Sequence, residues 1–163
     1  MFRLLLVALL SLTVLSGCGP DANQQAANDY VEAMTPLLKR NTTLSKTFLD
    51  MAAKIKREEL TTAQIAKQFT KRVVPQAEQL QNDVAKVQPR PTSVEEVHLG
   101  LVRAWSNRAN AYRQMADSWA AGDLASFNGA ARDHATVNKA EERYFEAINT
   151  LLMQHGLVLQ PYP

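Results

Sequence analysis

Cysteine, glycine and strand-like patterning are all scarce in this sequence of 163 residues. The single cysteine, Cys18, excludes an intrachain disulfide and a cluster of cysteine ligands for a metal. No stretch alternates apolar and polar residues for long enough to predict a strand, and only six glycines are present. Good helix formers fill most of the remaining positions, so the composition predicts an all-α protein.

An excess of charge of one sign is also missing. The chain has 18 Lys and Arg against 16 Asp and Glu, which gives a net charge of +2. This near balance gives no reason to expect nucleic acid as a partner. The sequence has no glycine-rich phosphate loop and no arrangement of a nucleophile with a histidine that stands out. We therefore predict no catalytic residues and a protein that is not an enzyme.

The first residues have the order of a secretory signal peptide. A short basic start that ends at Arg3 precedes the apolar run Leu4–Leu10, which continues with mild interruption to Leu15. The run is shorter than the roughly 20 apolar residues that a bilayer-spanning helix needs. We therefore predict that residues 1–17 are a cleaved leader.

The leader ends in Leu15, Ser16, Gly17 and Cys18. This order of an aliphatic residue, two small residues and a cysteine resembles the lipobox of bacterial lipoproteins. The resemblance implies a diacylglycerol group on the Cys18 thiol, cleavage just before Cys18 and acylation, for instance by palmitate, of the new amine. Two or more acyl chains anchor a protein durably, at roughly 0.8 kcal/mol for each buried methylene. The implied location is the periplasmic face of a membrane, and Gly19-Pro20 leaves both the inner and the outer membrane open.

The segment from Ala27 to Ile55 has the clearest helical period. Apolar residues recur at alternating steps of three and four, which predicts a heptad seam with one polar member, Asn41. The seam comprises Ala27, Tyr30, Met34, Leu37, Asn41, Leu44, Phe48, Met51 and Ile55. Pro36 lies inside this helix and predicts a kink.

A second helix is predicted to begin at Thr61, which forms a capping box with Gln64. Pro75 predicts a kink in this helix, and Pro89 and Pro91 end it. A capping box of Thr92 and Glu95 is predicted to open the third helix, which Gly122 ends.

The fourth helix is predicted to begin at the cap Asp123 and to end at Gly156. Four long helices with short turns predict an up-down-up-down antiparallel four-helix bundle. The predicted organisation is a leader at 1–17, a lipidated Cys and short tether at 18–22, the bundle at 23–156 and an irregular tail at 157–163. An even number of helices puts the tail and the connector around Pro89 at the end near the membrane.

Polar residues interrupt the apolar stripes at one level of the predicted bundle. Asn41, Arg108 and Glu141 each interrupt a stripe, and Gln76 lies close to one. Because a buried unpaired charge is very costly, we predict that Arg108 pairs with Glu141. The alternative is that Arg108 extends along the bundle to reach solvent. A buried layer of this kind fixes the register of helices.

Three weaker patterns suggest other functions. The segment LTTAQ at residues 60–64 resembles the LTxxQ motif of periplasmic helical proteins of the Spy and CpxP type, which implies a chaperone-like holdase. Met34 and His155 lie on the helices that hold haem in b-type cytochrome bundles, but an offset of roughly 18 Å separates them. Glu95 and His98 have the Glu-x-x-His spacing of di-metal bundles, for which Glu32 and Glu146 are further candidates.

The sequence therefore predicts a membrane-anchored lipoprotein that acts as a non-enzymatic interaction or binding module. Its expected partners are membrane lipid, through acylated Cys18, and an envelope protein that engages the end far from the membrane. No cofactor and no metal are predicted. A haem- or metal-binding bundle and a periplasmic holdase are the alternatives.

Overall fold

The computed structural model describes residues 21–161, and every regular element in that range is helical. Four helical segments follow one another. The first is α1, Ala22–Lys56; the second comprises α2, Thr62–Gln68, and α3, Val74–Val84, joined by a π-helical turn at Phe69–Val73; the last two are α4, Thr92–Ala121, and α5, Leu124–Leu152. The prediction of an all-α protein with four helices is therefore confirmed. The predictions for the leader, for Cys18 and for most of the tether concern residues outside the described range.

α1 begins where its sequence supplies a cap. The Asp21 side chain accepts a hydrogen bond from the Gln24 backbone N–H at 2.7 Å, which satisfies one of the free amides of the first turn. The helix continues through Pro36 to Lys56. Every member of the predicted seam is buried or half-buried, so the three-four spacing identified the inward face correctly.

The second segment combines a predicted start with a turn that the sequence did not reveal. The predicted capping box is confirmed, because Thr61 accepts from the Gln64 backbone N–H while Gln64 accepts from that of Thr61. After the seven residues of α2 the helix widens into the π turn, in which the Val74 N–H donates to the Phe69 carbonyl. Pro75 follows directly, at the start of α3.

α4 begins differently from the prediction. The capping box of Thr92 and Glu95 is wrong, because Thr92 is already helical and Pro91 is the N-cap. The Glu95 N–H that Thr92 was expected to bind donates instead to the Pro91 carbonyl at 3.2 Å. At the other end, Gly122 adopts the left-handed conformation with φ of 71°, as a glycine stop requires.

α5 begins at the predicted cap, where the Asp123 side chain accepts from the Ser126 N–H at 3.0 Å. A short 3₁₀ turn, Met153–His155, follows α5, and Gly156 ends it with φ of 67°.

One apolar core joins all four segments. Its largest fully buried side chains include Trp105, Tyr112, Phe69 and Met34. Among the described helices, α4 and α5 have the most extensive close backbone packing. The backbones of α1 and α5 come close at few positions. Side chains nevertheless connect α1 to α5 across the seam between these two helices. One such connection is the hydrogen bond of 2.8 Å between the Tyr30 and Tyr144 hydroxyls.

Each described helix is apolar along one side only, and its other sides carry polar and charged residues. None of the helices within residues 21–161 has the length and apolarity needed to cross a membrane.

Candidate functional site

The buried side chain of Arg108 is the centre of a polar cluster that joins α1, α4 and α5. Only 3 % of Arg108 is exposed. Its guanidinium donates to both oxygens of the Glu141 carboxylate, at 2.7 and 2.6 Å. It also donates to the side-chain oxygens of Asn41, at 2.6 Å, and of Asn138, at 3.2 Å. These four hydrogen bonds use every N–H of the two terminal nitrogens.

The carboxylate of Glu141 is shared among three helical segments. Besides Arg108 on α4, it accepts from the Trp105 indole N–H and, at 3.3 Å, from the side-chain amide of Asn41 on α1. Asn41 thus donates to Glu141 and accepts from Arg108, so its amide orientation is fixed by its partners. Within residues 21–161, the Nε of Arg108 is buried without a hydrogen-bond partner, while the other polar atoms of the Arg108 and Glu141 pair bond to one another. These directional bonds hold α1, α4 and α5 in one register.

The structure brings together three of the four residues predicted for the polar layer. Asn41, Arg108 and Glu141 meet, and Arg108 does not extend to solvent. Gln76 lies apart from them and lines a shallow groove between α1 and α3, beside Arg40 and Leu80. Within the part of the chain that the structure describes, no hydrogen bond joins Gln76 to this cluster.

An aromatic group lies next to the polar cluster. The ring of His134 stacks on Tyr112, with centroids 4.9 Å apart, and Phe48 contacts both rings. The His134 Nε2 and the Tyr112 hydroxyl form a hydrogen bond of 2.9 Å. Burial, and secondly the positive charge of Arg108, lower the pKa of His134 to about 4. Burial raises the pKa of Tyr112, so both side chains are neutral at pH 7.

A second polar chain crosses the bundle nearer to the connector. The His98 Nε2 lies 3.0 Å from the Val84 carbonyl, and the His98 Nδ1 lies 3.0 Å from the Tyr30 hydroxyl. Because a carbonyl only accepts, Nε2 carries the proton of the neutral ring and Nδ1 accepts. Tyr30 therefore donates to His98 and accepts from the hydroxyl of Tyr144.

Burial explains the titration behaviour of this chain. It lowers the pKa of His98 and raises the pKa values of Tyr30 and Tyr144. All three groups are consequently neutral at physiological pH, and every proton has a defined acceptor.

Two surface grooves lie next to the two polar networks, one beside His98 and the other beside Asn41 and Glu141. One of about 830 Å³ lies between the start of α1, the connector at 85–92 and the start of α4, with His98 and Glu95 in its wall. Another of about 310 Å³ lies between α1 and α5, and Asn41 and Glu141 of the polar cluster line it. About 15 % of the Glu141 side chain is exposed to solvent.

The residues suggested for metal or haem are dispersed. Glu32, Glu95 and Glu146 are exposed, whereas His98 is buried and engaged by Tyr30 and Val84. Residues 21–161 contain no group of three or more His, Cys, Asp or Glu side chains placed to hold a metal ion. Met34 is fully buried in the core, and His155 lies in the 3₁₀ turn after α5.

Several participants in these networks were missed by the sequence reasoning. Trp105 and Tyr144 are aromatic residues of the kind that fill a core, although their polar atoms complete the two networks. Asn149 was also missed, and its side chain holds the tail at Leu159. Leu157, Val158 and Leu159 are all apolar, so the sequence has no alternation of apolar and polar residues that would have predicted this contact.

No protein-family model matches the chain, and neither a curated protein nor a solved structure matches it.

Proposed function

We propose that this protein is a lipoprotein anchored at the periplasmic face of a membrane through acylated Cys18, and that it acts there as an interaction module. One observation carries the proposal: the lipobox-like order Leu15-Ser16-Gly17-Cys18 is followed at Asp21 by the cap of α1. The distance from Cys18 to Asp21 is at most about 10 Å. A lipid on Cys18 would therefore hold the first turn of α1 close to the headgroups.

The proposed arrangement of the helical segments is an up-down-up-down antiparallel bundle with kinks at Pro36 and Pro75. Contacts between α4 and α5 support it, since Arg108 bonds to Glu141 while the later Trp119 contacts the earlier Phe127. Residue numbers rise together in the contacts between α1 and α4, as expected for the first and third members of such a bundle.

This arrangement assigns one end of the bundle to the membrane. Gln24 donates to the His155 carbonyl at 3.1 Å, which puts the start of α1 beside the end of α5. The turns at 57–60 and around Gly122 form the opposite end in the proposed bundle. A helix of about 30 residues is about 45 Å long, so that end would project well beyond the headgroups, within reach of an envelope protein.

Lipidation is tested by intact mass spectrometry of the full chain expressed in a Gram-negative bacterium. We expect a product that begins at Cys18 and carries a diacylglyceryl thioether, with a further acyl group on the amine. Cys18→Ser should abolish the modification and leave the leader attached, whereas Ser16→Gly keeps a small residue and serves as the matched control. An unmodified Cys18 thiol on a membrane-targeted chain would contradict the proposal.

The docking end is tested separately with a photo-crosslinking residue introduced at exposed positions. We expect defined adducts from Glu58, in the far turn, and weaker ones from Glu96, near the start of α4. Equal adducts from both positions, or adducts only from Glu96, would overturn the assignment of the far end without affecting the lipidation result.

A further inference from the structure

The chain after α5 turns back along the helix that it has just left. Gly156 supplies the left-handed residue of this reversal, and the Leu157 N–H donates to the Leu152 carbonyl at 3.1 Å. Leu159 then lies beside Asn149, and Pro161 beside Phe145. The tail therefore runs in the direction opposite to α5.

Asn149 holds the tail through its backbone. The Asn149 side-chain oxygen accepts from the Leu159 N–H at 2.7 Å, and its amide donates to the Leu159 carbonyl at 3.0 Å. An N–H and a carbonyl of one residue point the same way in extended backbone, as in a hydrogen-bonded pair of a β-ladder. Asn149 thus recognises an extended segment by groups that every residue other than proline has.

The side chains of the tail alternate as those of a strand do. Leu159 is only 2 % exposed, whereas its neighbour Val158 is 50 % exposed. Leu157 is again half-buried. The seam between α1 and α5 therefore accepts every second side chain of an extended segment, with Leu159 as the apolar anchor.

The same seam continues past Pro161 as the groove of about 310 Å³ that the described residues of α1 and α5 form. Pro161 is one of its lining residues, and its walls combine the apolar Leu38, Leu49 and Phe145 with polar side chains that include Asn41 and Glu141. Leu49 is 64 % exposed and is therefore accessible to an incoming chain. The stretch of α1 from Leu38 to Leu49 is about 16 Å long, which matches about five extended residues.

We propose that the seam between α1 and α5 is a binding site for an extended apolar segment of a partner polypeptide, and that residues 157–161 occupy one end of it as a built-in competitor. The inference rests on the proposed function, because it names the class of partner for that interaction module. A polypeptide is favoured over a lipid because Asn149 pairs with a backbone N–H and a carbonyl together, and an acyl chain has neither. Leu159 identifies the preferred anchor as a large aliphatic side chain.

The first experiment frees the seam and offers the tail sequence in trans. The probe is a fluorescein-labelled peptide GLVLQP, which is the sequence of residues 156–161. Leu159→Asp should displace the tail, because a carboxylate does not stay in an apolar pocket. In fluorescence anisotropy with the purified full chain, we expect this variant to bind the peptide at least tenfold more tightly than the unaltered chain, whose own tail competes at high effective concentration.

Two variants control this experiment. Val158→Asp changes an exposed residue of the same tail, so it should bind the peptide as weakly as the unaltered chain. Adding Asn149→Ala to Leu159→Asp should abolish the gain, because the backbone clasp is lost. Leu159→Ser replaces the Asp variant where that variant does not fold. Equal binding by the Leu159 variants and the unaltered chain, or full binding without Asn149, would overturn the proposal.

The second experiment tests the open half of the seam. A longer labelled peptide, GLVLQPSLSL, places leucines at the alternate positions that would face Leu49. On the tail-displaced chain, Leu49→Asp should weaken this peptide about tenfold and leave the short peptide unchanged. Leu124→Asp is the matched control, because Leu124 is 61 % exposed and lies at the start of α5, outside this groove.

Sedimentation of the same variants identifies the occupant. A tail-displaced chain that stays monomeric and binds both peptides supports a partner polypeptide. Dimerisation that Leu49→Asp prevents would make the occupant a second copy of this chain and overturn the proposal. These results do not depend on the mass of Cys18, so failure of the seam and failure of the lipid anchor are distinguishable.

Discussion

The guanidinium of Arg108 donates hydrogen bonds to both oxygens of the Glu141 carboxylate. Only 4 % of the Arg108 side chain and 15 % of the Glu141 side chain are exposed. An ion pair with so little solvent is expensive to break from one side, because the remaining charge keeps its burial and loses its partner. The exposed pair of Arg113 and Glu78 is its natural comparison, since both of those side chains are more than a third exposed.

A double-mutant cycle measures the buried pair. We expect Arg108→Met and Glu141→Gln each to lower the free energy of unfolding by about 3 kcal/mol, and the double variant to lose little more than either single variant. The same cycle on Arg113 and Glu78 should give a coupling below about 1 kcal/mol. Urea denaturation at pH 7 provides the values. A coupling near zero for Arg108 and Glu141 would contradict the structural role of the cluster.

The order of donors in the second network predicts unequal costs for two similar substitutions. Tyr30→Phe leaves the His98 Nδ1 without a donor and the Tyr144 hydroxyl without an acceptor, so we expect a loss of about 2 kcal/mol. Tyr144→Phe removes only the donor at the end of the chain and should cost about 1 kcal/mol. Thermal and urea unfolding of the two variants decide the matter, and a larger loss for Tyr144→Phe would refute the assigned direction.

The two internal prolines should respond differently to replacement. Pro36 lies within a continuous α-helix, where it removes an N–H and crowds the preceding turn, so Pro36→Ala should stabilise the chain by about 1–3 kcal/mol. Pro75 follows a π turn that already shifts the hydrogen bonding, and Pro75→Ala should gain less than about 1 kcal/mol. Crystal structures of both variants would test whether each proline bends its helix, and equal stabilisation would contradict this account.

Acid should destabilise the fold through His134 before the carboxylates titrate. Its pKa falls from 6.5 in the unfolded chain to about 4 in the fold. Between these values the unfolded state binds more protons, so stability is complete above pH 6.5 and declines as the pH falls towards 4. We expect a loss on the order of 2 kcal/mol from this group between pH 7.5 and pH 5.

Denaturation at pH 7.5 and pH 5 measures this dependence. His134→Gln should flatten it, and His98, whose pKa burial also lowers, should account for a remaining slope of the same sign. An unchanged slope in His134→Gln would argue against the buried neutral ring.

Local signals in the sequence predicted the helices and most of their ends, because those features depend on residues a few positions apart. The three-four spacing of α1 identified its inward face, and Gly122 and Gly156 adopt the left-handed conformation expected of glycine stops. The predicted N-cap at Thr92 was wrong because Pro91, Thr92 and Ser93 are all residues that can begin a helix. In the structure, the first helical hydrogen bonds are accepted by the Pro91 carbonyl.

The two hydrogen-bond networks were harder to predict from the sequence, because they depend on which residues of different helices come together. Arg108 and Glu141 could be matched by counting from helix ends, and the structure brings them together, whereas Gln76 lies between α1 and α3. The clasp of Leu159 by Asn149 required the direction in which the tail leaves Gly156, and no short pattern encodes that direction.

The sparse packing between α1 and α5 also predicts which helix separates in a partial unfolding. α4 and α5 pack closely against each other, whereas α1 reaches α5 through side-chain bridges such as the one between Tyr30 and Tyr144. Hydrogen exchange should therefore release the amides of α1 in a partial opening that leaves α4 and α5 protected. A segment that swings away at lower free energy than the whole fold gives an incoming chain access to the seam without global unfolding.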